Sequence, residues 1–161
     1  MHSFFRPLKK PLPKWIPIVF VGLSAAGFFD SLYLTISHYQ GASVGCSLVH
    51  GCSEVLQSEY AVIFGIPLAV LGMAYYLFVF LLSVLYFDTQ KDKVLRAAMG
   101  AVSIGFVASL WFVYLQAAVI KAFCLYCLGS AAITIALFLF SLYIVIHYTK
   151  KYEDTESIRE D

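Results

Sequence analysis

Charge is what this chain has least of. Only 13% of its 161 residues are Asp, Glu, Lys or Arg, against 61% hydrophobic residues and a mean hydropathy of +0.81. A soluble domain of this size cannot be built from so little polar surface, so the composition describes an integral membrane protein folded as one unit. No basic stripe is present either. The formal charge of +1 says nothing about nucleic acid, but the cations sit at the chain ends and in one loop and form no RNA- or DNA-binding stripe. The haem-attachment pattern CxxCH is missing because Leu128 follows Cys127, and no glycine-rich dinucleotide fingerprint occurs. Cysteine is scarce, at four residues, but its placement carries the chemistry.

Four apolar runs are long enough to span a bilayer core, at roughly 15–37, 60–87, 97–120 and 127–148. Arg6, Lys9, Lys10 and Lys14 precede the first run; Lys91, Lys93 and Arg96 separate the second from the third; Lys150, Lys151 and Arg159 follow the fourth. Only Lys121 of the eleven basic residues falls in the alternate loops. By the positive-inside rule both termini are cytoplasmic, and the loop at 38–59 and the short one before Cys127 face outward. The expected fold is an all-α bundle of four transmembrane helices. Ser24-Ala25-Ala26 has the small residues of a signal-peptide cleavage site, but the apolar run continues to Ile36, which argues for a retained helix.

All four cysteines lie on the outward side, Cys46 and Cys52 in the long loop, Cys124 and Cys127 before the fourth span. That is the side of the membrane where disulfides persist. Cys124-Leu125-Tyr126-Cys127 can place both sulfurs in one turn at a helix N-terminus, where the positive end of the dipole favours a thiolate. Gly41, Gly45 and Gly51 let the loop turn tightly, and Ser53 can cap a short helix through Gln57, so the loop reads as a lid on the bundle.

Three readings of these thiols compete. Two structural disulfides would staple a non-catalytic tetraspan protein, but a disulfide across a CxxC closes almost no loop and gains little. Cysteines with His38 and His50 would make a zinc site, but no second tight pair is present. A thiol-disulfide relay uses every cysteine. A relay needs an acceptor, and a dithiol at the membrane surface over an aromatic-rich interior points to a lipid-soluble quinone.

Candidate contacts to that acceptor are Asp30, Phe64, Tyr75, Trp111 and Tyr114, and Tyr76 and Gln116 could line the same aromatic pocket. Asp30 is an ionisable residue inside a span, costly there and a candidate for carrying protons to a bound acceptor; its alternative is satisfaction by Ser31, Tyr33 or water at the interface. The aromatics serve equally as a membrane belt or as packing. Pro67 would bend the second span or sit in its first turn. Ala101, Gly105 and Ser109, four apart, read as a helix-packing face.

The stretches Val44 to Leu48, Gly51 to Ser58, Tyr60-Ala61, Phe64 to Pro67, Leu71-Gly72 and Cys124 to Cys127, with Ser31 to Thr35 ahead of His38, together resemble the vitamin K epoxide reductase family in its short prokaryotic form. The resemblance implies a four-helix bundle around a quinone, ubiquinone or menaquinone of the vitamin K kind, capped by the outer loop. It implies that Cys46 and Cys52 exchange with a thioredoxin-like, DsbA-type dithiol protein, Cys46 first. Cys52 then forms a transient disulfide with Cys124, and Cys127 passes electrons to the quinone. The implied outcome is disulfide formation in secreted proteins by a monomeric, multi-pass plasma-membrane enzyme whose active site is extracytoplasmic.

Two departures stand against the animal activity, reduction of vitamin K quinone or epoxide. Animal members hold vitamin K through an Asn in the second span and a Tyr four residues after the CxxC. This chain has no Asn, and Ala131 stands at the second position. The chain also carries no fused thioredoxin-like domain before its end at Asp161, so the dithiol partner is expected to be a separate protein.

Overall fold

The computed structural model describes residues 12–40, 52–56, 58–63 and 65–149. Four helices among them are long and apolar enough to cross a membrane. Helix α1 is Trp15–Gln40 and α3 is Leu68–Thr89. Helix α4, Asp92–Tyr114, continues into a wider π-type segment at Leu115–Ile120. Helix α5 is Leu125–Ile144, with a similar extension at Val145–Thr149. The short α2, Cys52–Leu56, precedes a 3-10 turn at Glu59–Ala61.

The second span starts later than the hydropathy predicts. Residues 59–67 are not its first turns: Val62–Ile63 (β1) and Ile66–Pro67 (β2) pair as a minimal antiparallel hairpin. Gly65, at φ +80°, takes the left-handed turn position that a side chain resists. Pro67 has no N–H and holds the residue before it extended, so α3 begins after it and is not bent by it. The other ends differ by a few residues: α1 runs on to Gln40, α4 begins at Asp92, and α2 starts at Cys52, ahead of Ser53. Left-handed Gln90, φ 51°, closes α3 with its N–H on the Tyr86 carbonyl, and left-handed Lys121, φ 56°, ends the α4 extension.

Helix α1 packs most extensively on α3, through small residues. Gly27 lies directly against the Tyr76 ring and Gly72 against Ser31, which lets the two backbones approach closely. Gly105 of α4 lies in the same way under Tyr75, while Gly105 and Ser109 also border the cavity between the helices. One apolar cluster, including Ile16, Phe20, Val79, Val102 and Leu137, fills the half of the bundle near the N-terminus. A second, of Leu34, Cys52, Val55, Ala122 and Cys124, closes the opposite end. Some buried hydroxyls are satisfied by their own helix: Ser24 Oγ donates to the Phe20 carbonyl at 2.6 Å and Ser83 Oγ to the Val79 carbonyl at 2.7 Å.

Candidate functional site

The site grows from the N-terminus of α5. Left-handed Lys121 stops the extension of α4, and Cys124, extended at φ −100° and ψ 117°, is the N-cap of α5. A cap normally offers a side-chain oxygen to the first-turn N–H groups; here the sulfur does so, accepting from the Cys127 N–H at 3.4 Å. Both cysteines are free thiols. The Cys124 thiol is pulled down to about 7, first by the hydrogen bond from the Cys127 side chain, against burial, with help from the Cys127 and Tyr126 backbone. The same hydrogen bonds favour the thiolate at Cys124 over one at Cys127.

Cys124 has no solvent exposure and Cys52 is 1% exposed. They share one cluster with Val55 of α2, so the short helix seats Cys52 over the end of the bundle at the same level as Cys124. Cys52 is disulfide-bonded, and since Cys124 and Cys127 are free, neither is its partner. Cys46, His50 and Phe64 lie outside the described residues.

Beneath α2 is a cavity of about 450 Å³. Its walls are chiefly apolar, from α1, α3, α4 and α5, and α2 with the 3-10 turn roofs it. Cys127 faces it, whereas Cys124 does not. The dithiol thus presents one sulfur toward the loop helix and the other toward the cavity.

The structure sorts the remaining candidates. Tyr75 lines the cavity, and its buried hydroxyl has no hydrogen-bond partner. Trp111 and Tyr114 do not line it, which corrects the expectation from sequence. The cavity side of α4 carries Ile104, Ala108 and Phe112, while Trp111 and Tyr114 stand on the outer side beside Val107 and Leu110, 57% and 56% exposed, with ring centroids 5.8 Å apart. Exposed rings on a helix apolar enough to cross a membrane suit a membrane belt. Asp30 is not part of the cavity wall; one oxygen of its carboxyl is buried without a partner.

Two residues grouped with the pocket aromatics line the cavity and also hold the frame. Tyr76 shares hydrogen bonds with the Ser130 carbonyl and hydroxyl and with the Thr134 hydroxyl, at 2.7, 2.8 and 2.8 Å. It thereby pins α3 to α5 one turn after Cys127. Gln116, grouped above with the pocket aromatics, accepts from the Cys124 N–H at 3.0 Å. Its signal in the sequence is an amide inside an apolar run, eight positions before the CxxC. His38 also lines the cavity, near its roof.

The vitamin K epoxide reductase family model matches residues 18–142, a range that contains all four cysteines. The thiol-disulfide oxidoreductase LTO1 of Arabidopsis thaliana is 36% identical over 121 residues, which cover 70% of this chain and 32% of that protein. The chain spans about a third of the length of that curated relative. A multi-pass helical bundle with a thiol-based redox site at one end, matched over most of its length, belongs to the vitamin K epoxide reductase family.

Proposed function

We propose that this protein is a thiol:quinone oxidoreductase. It takes two electrons from a thioredoxin-like dithiol protein through the loop cysteines, hands them to Cys124 and Cys127, and delivers them to a membrane quinone. The observation that carries this reading is the two-sided dithiol: Cys124 lies against the helix that bears Cys52, and Cys127 lines an apolar cavity.

The cavity fits a quinone in chemistry and size. An apolar ring needs apolar walls, and its carbonyls need donors; Tyr75 offers a buried hydroxyl with no partner. Leu71 of α3 and Ile104 of α4 line the cavity and are also exposed, which leaves room for an isoprenoid tail between the two helices. A bound quinone would supply a two-electron, two-proton acceptor. The protein's own part is to keep Cys124 ionised for exchange with Cys52, to hold Cys127 at the wall, and to exclude water with α2.

Each turnover converts the Cys124 and Cys127 thiols to a disulfide and releases two protons and two electrons. Exchange with Cys52, through a mixed disulfide at Cys124, restores the dithiol, and the loop pair is then reduced by the partner. The expected setting is a plasma membrane with the cysteines on the extracytoplasmic side, where the oxidised partner places disulfides in secreted proteins. The test is quinone reduction by the purified protein in detergent with a soluble ubiquinone or menaquinone analogue. Wild type turns over, Cys127→Ala is inactive, and Cys46→Ala fails with a protein dithiol but works with dithiothreitol. No thiol-dependent turnover, with cysteine removal only lowering the melting temperature, would mean a disulfide-stapled structural protein.

A further inference from the structure

Oxidising a dithiol inside a membrane protein leaves a proton problem. Cys127 loses a proton as it gives up electrons on the cavity side, where the chiefly apolar wall offers it hydroxyls and an amide, Ser130, Thr134 and Gln116, and one imidazole, His38, near the roof. A carboxylate lies on the other side of Cys127, within the bundle.

Helix register places one there. Gly27, one turn before Asp30 on α1, lies against Tyr76, whose hydroxyl is bonded to Ser130. Tyr33, one turn after Asp30, lies against Tyr126 with ring centroids 5.1 Å apart. Tyr126 and Ser130 flank Cys127 on α5, so Asp30 stands level with Cys127 across the α1–α5 contact.

The carboxyl is also incomplete. Oδ2 of Asp30 is buried and accepts no hydrogen bond. An unpaired carboxylate oxygen inside a span is costly, and taking up a proton removes that cost. The titratable groups facing it are Tyr76 from α3, Tyr126 and Cys127 from α5, and Cys124 just ahead of α5; none is a cation. Tyr76 is committed to Ser130 and Thr134. The thiols are the groups whose protons the reaction must release.

We propose that Asp30 is the proton acceptor for the Cys127 thiol. As Cys124 and Cys127 become a disulfide, two electrons leave toward the cavity and the S–H bond of Cys127 breaks. Its proton passes to the Asp30 carboxylate, forming the carboxylic acid. Any proton on Cys124 leaves on the aqueous side. Asp30 returns its proton when the dithiol is restored or to the reduced acceptor. This rests on the thiol:quinone reading for the identity of the acceptor, but not for the dithiol step itself.

The test compares wild type, Asp30→Asn and Asp30→Glu across pH in two assays: quinone-analogue reduction driven by dithiothreitol, and single-turnover oxidation of the protein dithiol by dithiodipyridine, which needs no quinone. Asp30→Asn is expected to slow both by about a hundredfold near neutrality. The deficit shrinks as pH rises and solvent removes the proton, and Asp30→Glu keeps most of the rate. An Asn variant with the wild-type rate and pH profile overturns the proposal. So does a drop that is uniform across pH and not rescued by Glu, since that is a structural effect. Wild type inert toward every quinone, yet oxidised by dithiodipyridine with an Asp30-dependent pH profile, would sink the quinone reading and leave the proton acceptor standing.

Discussion

The side-chain oxygen of Gln116, in the widened last turns of α4, accepts the backbone N–H of Cys124 at 3.0 Å. Gln116 is only 4% exposed and lines the cavity, so one amide connects the cavity to the backbone of Cys124. Replacing it with Leu keeps the bulk but leaves a buried N–H unpaired, a cost of about 1–3 kcal/mol. Gln116→Leu should lower the melting temperature in detergent and slow dithiol turnover. Gln116→Glu keeps an acceptor oxygen and should recover the melting temperature, while its negative charge moves Cys124 ionisation to higher pH.

Cys124 itself should titrate near neutrality. Its thiol lies at about 7, below the usual thiol range, so the thiolate persists down to that pH and is lost as the pH falls further. The largest cause is the hydrogen bond from the Cys127 side chain. The ultraviolet absorbance of the thiolate, measured against Cys124→Ala, should therefore show a midpoint near 7 in wild type. In Cys127→Ala that midpoint should move upward, because the donor is gone. An unchanged midpoint would show that the helix N-terminus alone holds the charge.

Two adjacent tyrosines should respond in opposite ways to loss of one oxygen. Tyr76→Phe removes hydrogen bonds to Ser130 and Thr134 and should destabilise the protein by about 1–3 kcal/mol. Tyr75→Phe removes a hydroxyl that has no partner, so the quinone-free protein should melt no lower than wild type. If the Tyr75 hydroxyl donates to a quinone carbonyl, Tyr75→Phe should raise KM for the quinone by about 5- to 10-fold, the worth of one hydrogen bond. KM for the dithiol should not change.

The four spans were legible because each is a long apolar run bounded by charge or turn residues, and the CxxC was legible because two thiols in one turn have few uses. The start of α3 was not. Val62, Ile63 and Ile66 suit a hairpin and a membrane helix equally, and only Pro67 and the left-handed Gly65 decide between them. Trp111 and Tyr114 went astray for a related reason. An aromatic ring is at home in lipid or in a pocket, and helical phase settles which: the cavity side of α4 includes Ile104, Gly105, Ala108, Ser109 and Phe112 but neither ring. Gln116 owes its position to a π-type segment, which shifts the phase by a fraction of a turn and has no clear residue pattern to announce it. Asp30 was visible as an anomaly from the start, but its level relative to Cys127 comes only from the contacts of Gly27 and Tyr33 one turn away on each side.

The frame that sets that level can be tested at two glycines of α1. A methyl group at Gly27 would run into the Tyr76 ring, which is 1% exposed and tied to α5 by its hydroxyl. Neither α1 nor the ring can yield without disturbing the turn that follows Cys127. Gly27→Ala should therefore cost about 1–3 kcal/mol as an overpacking change and also slow turnover. Gly22, on the same helix, has no neighbour within 4 Å of where its methyl would sit. Gly22→Ala should leave turnover intact and raise stability by about 0.5–1 kcal/mol, because alanine loses less backbone freedom in a helix than glycine does. Thermal unfolding and quinone reduction measured on both variants separate the two effects. Equal behaviour of the two would show that the α1–α3 contact does not set the geometry of the dithiol.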